Sequence, residues 1–222
     1  MNMNIFESKG IEFEQKINYL AKRKDLKTSD SLLKVLDCIK LEKGYHLGLK
    51  VALGEGLGDK SYFYTYRGNK DPYKADKMSE SLMNITPQIS FVKTNTVFFK
   101  SFRVEPSEMG AWQVYLLWLA PTILPYWWHG GYTAREYYFD REKANDFIPG
   151  WSHNPIMNFQ EKIPQPIVTM KDNEAVVICP FWNNWHGLVL ESTPIVFKPD
   201  NKIIIKRQRH KILYKYNCGI FF

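Results

Sequence analysis

The chain contains the tripeptide Trp-His-Gly twice, in PYWWHGGY from Pro125 and in PFWNNWHGLVL from Pro180. Tryptophan offers a flat apolar face with one N–H donor, histidine offers a donor and an acceptor, and glycine allows close approach of a backbone or ligand. Two copies in one chain indicate a local requirement that is met twice. We therefore predict a pocket for a small ligand or a partner's side chain, lined by Trp128, His129, Trp151, Trp185 and His186.

A structural interpretation of the same motifs competes with this one. Both copies can be turns at the start of strands, with the Trp rings in the core and each His bonded to a nearby carbonyl. The segments that follow the motifs, GYTARE and LVLEST, differ in sequence. A duplicated domain is therefore not indicated.

Adding His153 to His129 and His186 gives an alternative, a metal-dependent hydrolase. Three imidazoles can hold Zn²⁺ and leave one position for an activated water. The sequence lacks HxH, HExxH and HxxxH, and no carboxylate stands beside any of the three histidines. We therefore expect no cofactor and a non-catalytic binding protein, with the question of enzymatic activity left open.

The cysteines, Cys38, Cys179 and Cys218, lie far apart and include no CxxC pair. This spacing predicts reduced thiols. The first residues lack the pattern of a signal peptide, so the expected location is the cytoplasm. Cys179 precedes His186 by seven residues, but the surrounding VVICP is typical of a buried strand, in which a cysteine is an inert hydrophobe.

The net charge of +7 is concentrated between Lys198 and Lys215, where seven basic residues accompany one acid. Lys206, Arg207, Arg209 and Lys211 form the densest part of this segment. Such a cluster, with tyrosines nearby, can bind nucleic acid. It can also be a solvated edge strand whose charges oppose pairing with another molecule. The modest total charge favours the edge strand and leaves nucleic acid as the alternative partner.

Two helices are predicted at the N-terminus from apolar residues at helical spacing. Phe13, Ile17 and Leu20 mark the first, over 10–24, and Leu32, Leu36 and Ile39 mark the second, over 30–43. Together they predict a helical hairpin. Residues 1–44 are thus a candidate helical appendage, although a single domain over 1–222 is the better prediction.

The remaining elements predict an α+β fold, in which a mainly antiparallel meander packs on a buried apolar helix. The helix is expected from Pro106 to about Ala120, and strands 47–53 and 61–67 are expected to form a hairpin. A second hairpin is expected from QISFV and VFFKSFRV. The meander is expected from YTAREYYF, PIVTM, AVVICP, GLVLE, PIVF and NKIIIKRQRHKILYKY, with turns at KDNE and KPDNK.

The uncharged stretch from Met109 to Ala134 raises the question of a membrane span. Its apolar part runs only from Val114 to Trp128 and contains Pro121 and Pro125. A spanning helix needs about 20 continuous apolar residues. We therefore predict a buried helix and no membrane partner.

Overall fold

The computed structural model describes residues 3–23, 31–52, 60–67, 98–123, 135–137, 139, 163–183, 187–200 and 202–215. The helices among them are α1 (Ile5–Arg23) and α2 (Glu108–Ile123). The strands are β1 (Ile39–Leu41), β2 (Tyr45–Ala52), β3 (Lys60–Arg67), β4 (Phe102–Val104), β5 (Arg135–Tyr137), β6 (Ile167–Lys171), β7 (Glu174–Asn183), β8 (Gly187–Phe197), β9 (Ile203–Ile205) and β10 (Arg209–Tyr214). Each described strand pair is antiparallel, and the protein is α+β as predicted.

The largest sheet is centred on β7 and β8, which pair along their whole lengths. β5 and β6 both pair with the outer side of β7, and β9 and β10 both pair with the outer side of β8. The consecutive pairings of β6, β7, β8 and β9 form part of the predicted meander. The rest of that prediction is wrong, because β5 pairs with β7, and NKIIIKRQRHKILYKY forms two strands, β9 and β10, that both pair with β8. GLVLE and PIVF, expected as separate strands, are one continuous β8, because the pairing with β7 continues through both segments.

Helix α2 is buried against this sheet, as its apolar sequence predicts. Trp112, Tyr115 and Leu116 are fully buried, and they belong to the same core cluster as Val177 and Val189 of the sheet. The helix begins after Ser107, whose side-chain oxygen accepts a hydrogen bond from the Gly110 N–H at 3.0 Å. Among the described helices, none is long and apolar enough to cross a membrane.

The first predicted helix is present, and it starts earlier than expected because Asn4 and Glu7 cap it reciprocally. The Asn4 side-chain oxygen accepts from the Glu7 N–H, and the Glu7 carboxylate accepts from the Asn4 N–H, both at 2.8 Å. This is a capping box, which satisfies two otherwise unpaired donors. Phe13 and Ile17 are buried as predicted.

The second helix of the predicted hairpin does not form, and that prediction is wrong. Residues 31–34 form a short 3₁₀ turn, and Ile39–Leu41 form β1, which pairs with β4. Leu32, Leu36 and Ile39 are nevertheless all buried. Their spacing predicted burial correctly, but pairing with β4 supplies the backbone partners that a helix would otherwise supply.

The β2–β3 hairpin is confirmed, with register partners running from Tyr45 and Arg67 to Ala52 and Lys60. The second predicted hairpin is not. Phe98 and Phe99 lie in a helical turn, and the strand that follows, β4, pairs with β1. Residues 88–92, the expected partner strand, lie outside the described residues.

Gly10 lets α1 pack directly on Phe139, and its replacement by alanine is expected to destabilise the protein by about 1–3 kcal/mol. A Cβ atom at position 10 would stand 2.7 Å from Phe139 Cγ. The ring cannot retreat easily, since it is buried and stacks on Tyr137. Urea unfolding measures the change, with Ser8→Ala at an exposed position of α1 as the control. A Gly10→Ala variant as stable as the wild type would contradict this packing.

Candidate functional site

Three polar or reactive side chains form one row across the large sheet. Cys179 of β7 and His210 of β10 are both register partners of Glu191, on β8 between them. Glu191 is fully buried, whereas the His210 side chain is 39% exposed. The row therefore runs from the core to an accessible edge.

Both carboxylate oxygens of Glu191 have partners from distant parts of the chain. The Tyr115 hydroxyl, on α2, donates to Oε1 at 2.8 Å, and His210 Nε2 lies 2.8 Å from Oε2. A carboxylate behind an imidazole fixes the orientation of the ring and favours a proton on the nitrogen that faces it. The contact with Glu191 therefore orients the partly exposed His210 ring.

Tyr115 and Cys179, which lie next to Glu191, are held in their protonated forms. Burial, and then the charge of Glu191, raise the pKa of the Tyr115 hydroxyl well above its usual value, so it remains a donor. The same two causes, in the same order, raise the pKa of the Cys179 thiol. Cys179 is fully buried on β7, which confirms the prediction of a buried strand, and a buried thiol of this kind is a poor nucleophile.

Cys38 is likewise not activated. Partial burial, followed by the charge of Glu105, raises the pKa of its thiol to about 11. Its backbone N–H donates to Gln113 Oε1 at 2.7 Å, so this residue serves the junction between β1 and α2. The described cysteines therefore contribute packing and not nucleophilic chemistry.

Aromatic rings surround the Tyr115–Glu191 pair. Tyr115 stacks on Trp112 with 5.5 Å between ring centroids and lies edge-on to Tyr137 at 6.3 Å. Phe181 contacts Tyr137 at 5.3 Å and the His210 ring at 5.8 Å. The carboxylate thus lies in an apolar environment in which an electrostatic or hydrogen-bonding interaction is stronger than in water.

The residues of the predicted pocket, Trp128, His129, Trp151, Trp185 and His186, lie outside the described residues, as does the further metal-ligand candidate His153. The described residues that flank both motifs are neighbours, since Arg135 pairs with Asn183, and Asn183 pairs with Gly187. Gly187, the last residue of the second motif, has a φ of 85°, a left-handed conformation that favours glycine. This glycine is therefore required by the backbone at the start of β8.

No group of histidine, cysteine or carboxylate side chains suited to a metal ion occurs within the described part of the chain. The hydrolase alternative depends on His129, His153 and His186, none of which is described. It remains a hypothesis from the sequence.

The basic residues predicted near the C-terminus lie on and just before β10. Lys206 forms an ion pair with Glu174, while Arg207 precedes the strand, and Arg209 and Lys211 lie within it. All four are exposed. Within the described ranges no ion pair engages Arg207, Arg209 or Lys211.

Sequence reasoning missed Tyr115, Glu191 and His210 as a unit. One signal was present, because Glu191 and Thr193 alternate in phase with the buried Val189 and Ile195 of the same strand. A charged residue at a core position of a strand indicates a buried partner, although not which one. The function has to be inferred from these side chains, because no protein-family model, curated protein or solved structure matches the chain.

Proposed function

We propose that this is a non-catalytic binding protein whose ligand site lies at the end of the sheet where β5, β7 and β8 meet. The proposed pocket is lined by Trp128, His129, Trp185 and His186, with Trp151 as a further wall. The observation that supports it is the pairing of Arg135 with Asn183 and of Asn183 with Gly187. In the sequence, the first Trp-His-Gly segment shortly precedes Arg135 and the second ends at Gly187, so we expect the two segments at the same end of the sheet.

The described groups near this end suit binding better than catalysis. Phe181 and Tyr137 are buried register partners close to Asn183 and Arg135, and Glu191 holds the His210 imidazole in place. Tyr115 and Cys179 are both kept protonated by burial. Aromatic faces with a few fixed polar groups are characteristic of pockets for small ligands or for a partner's side chain.

The shared pocket predicts that His129 and His186 approach within the dimensions of a ligand cavity, about 10 Å. We would introduce His129→Cys and His186→Cys together, with Cys38→Ser and Cys218→Ser, so that the fully buried Cys179 is the one native thiol that remains. A bis-maleimide with a span of about 10 Å should join the two positions within one molecule. Mass spectrometry of the intact protein detects the added linker, and mass spectrometry of its tryptic peptides identifies the two cysteines that the linker joins.

The matched control pairs His129→Cys with Lys171→Cys. Lys171 is exposed at the opposite end of the β6–β7 hairpin, where its partner is Glu174. This pair should not be bridged. Equal bridging of both pairs, or bridging of neither, would eliminate the shared pocket.

Binding itself is tested with indole and imidazole as probes in ligand-observed NMR. His129→Ala and His186→Ala should each weaken a probe's signal if the two residues line one pocket, while Lys171→Ala should not.

Elemental analysis of protein purified without chelator tests the hydrolase alternative. Near-stoichiometric zinc that falls in His→Ala variants at 129, 153 and 186 would favour that alternative over ours.

A further inference from the structure

Strand β10 lies at an edge of the large sheet as far as the described residues form it. It pairs with β8 on one side, and no described strand pairs with its other side. All six of its residues are exposed. An edge of this kind presents backbone N–H and C=O groups to any chain that can pair with it.

The edge is already held in place by side-chain bonds to β8. His210 Nε2 contacts Glu191, and Gln208 Nε2 donates to the Thr193 hydroxyl at 3.1 Å. Glu191 and Thr193 are both fully buried. Because β10 is already ordered, its pairing with a partner strand costs less conformational entropy than pairing with a disordered edge would.

The two faces of β10 carry side chains of different chemistry. Arg209 and Lys211 are alternate residues and therefore share one face, and neither has an ion-pair partner within the described ranges. His210 and Ile212 share the other face, where Ile212 is 49% exposed. A complementary strand would carry acids on one face and apolar side chains on the other.

We infer that β10 accepts an acidic extended segment of a partner protein by strand addition. Acidic side chains at alternate positions would face Arg209 and Lys211, and the apolar side chains between them would face Ile212. Opposite charges directly across two strands stabilise the pair. This inference rests on the proposal of a binding protein but depends on β10 and not on the Trp-His-Gly segments.

The same charges select against the other ways of covering this edge. A second copy of β10 would place cations opposite cations, which destabilises strand pairing. A nucleic acid could contact the cations but has no peptide backbone to pair with the N–H and C=O groups of the edge. The cationic edge thus opposes self-pairing and remains open to an acidic strand.

The experiment uses three fluorescent probes in anisotropy titrations with the whole chain. The first is an eight-residue peptide in which Glu and Val alternate, and the second has the same composition with all Glu residues contiguous. The third is an oligothymidylate. We expect the alternating peptide to bind at least about tenfold more tightly than the contiguous one, because only alternation matches the faces of β10.

The double variant Arg209→Glu, Lys211→Glu should weaken binding of the alternating acidic peptide at least about tenfold and create binding of an alternating Lys-Val peptide. The control Lys40→Glu, Lys43→Glu changes the net charge by the same amount at exposed positions elsewhere. It should have neither effect. Circular dichroism confirms that both variants fold. Backbone amides of β10 should gain protection from hydrogen exchange on peptide binding.

Equal affinity for both acidic peptides would overturn strand addition, since charge alone would then explain binding. Preferential binding of the oligothymidylate with a steep salt dependence would replace it with nucleic-acid binding. No binding of any probe would also overturn it. His129→Ala with His186→Ala should leave the peptide affinity unchanged, so failure of the pocket proposal and failure of this inference are distinguishable.

Discussion

Replacement of Glu191 by alanine is expected to lower the free energy of unfolding by about 3–5 kcal/mol. Glu191 is fully buried and bonds to the Tyr115 hydroxyl and to His210 Nε2. Alanine removes both acceptors at once and leaves the phenol without its partner in an apolar environment, besides opening a cavity. Urea unfolding followed by tryptophan fluorescence measures the loss.

Glu191→Gln is the matched control for volume. The amide oxygen can still accept from Tyr115, while the amide N–H₂ faces His210 and requires an unprotonated Nε2. We therefore expect a loss smaller than that of the alanine variant. If Glu191→Ala lies within about 1 kcal/mol of the wild type, the pair with Tyr115 does not stabilise the fold as the geometry indicates.

Trp112→Ala is the second large effect that we expect, again a loss of about 3–5 kcal/mol. The indole is fully buried on α2, stacks on Tyr115, and lies edge-on to Phe6 and Phe139 at 5.9 and 5.8 Å. It therefore joins α1, α2 and the chain that follows β5. Removing it leaves a cavity that these rigid neighbours cannot fill.

Trp112→Phe separates the ring from its polar atom. The Trp112 Nε1 atom is buried and has no hydrogen-bond acceptor among the described residues. Phenylalanine keeps most of the aromatic contact and removes this unpaired donor, so we expect a loss below about 2 kcal/mol. A Phe variant as unstable as the Ala variant would indicate that the indole has a hydrogen-bond partner.

Local sequence patterns were sufficient for the elements whose partners are close in the chain or whose burial is complete. Helix α2 is apolar on nearly every side, and a helix of this kind is buried in the core. The meander from β6 to β9 follows from apolar strands joined by the short turns KDNE and KPDNK. Each of these predictions depends on interactions within one element or between neighbours in sequence.

The predicted helix over 30–43 failed for the opposite reason. Leu32, Leu36 and Ile39 are buried as their spacing indicates, but Ile39 pairs with Val104, far away in the sequence. The Cys38 N–H donates a hydrogen bond to Gln113 Oε1 of α2. Spacing therefore predicted which side chains are buried, while distant backbone partners decided the secondary structure.

The candidate site divides in the same way. The sequence by itself determined that the chain has two Trp-His-Gly segments and a cluster of basic residues between Lys198 and Lys215. Both are properties of residue order alone. Only the tertiary structure decided that Glu191 meets Tyr115 and His210, since each belongs to a different element. The physical reason is that a buried carboxylate needs donors, and the sheet and α2 bring those donors together from distant parts of the chain.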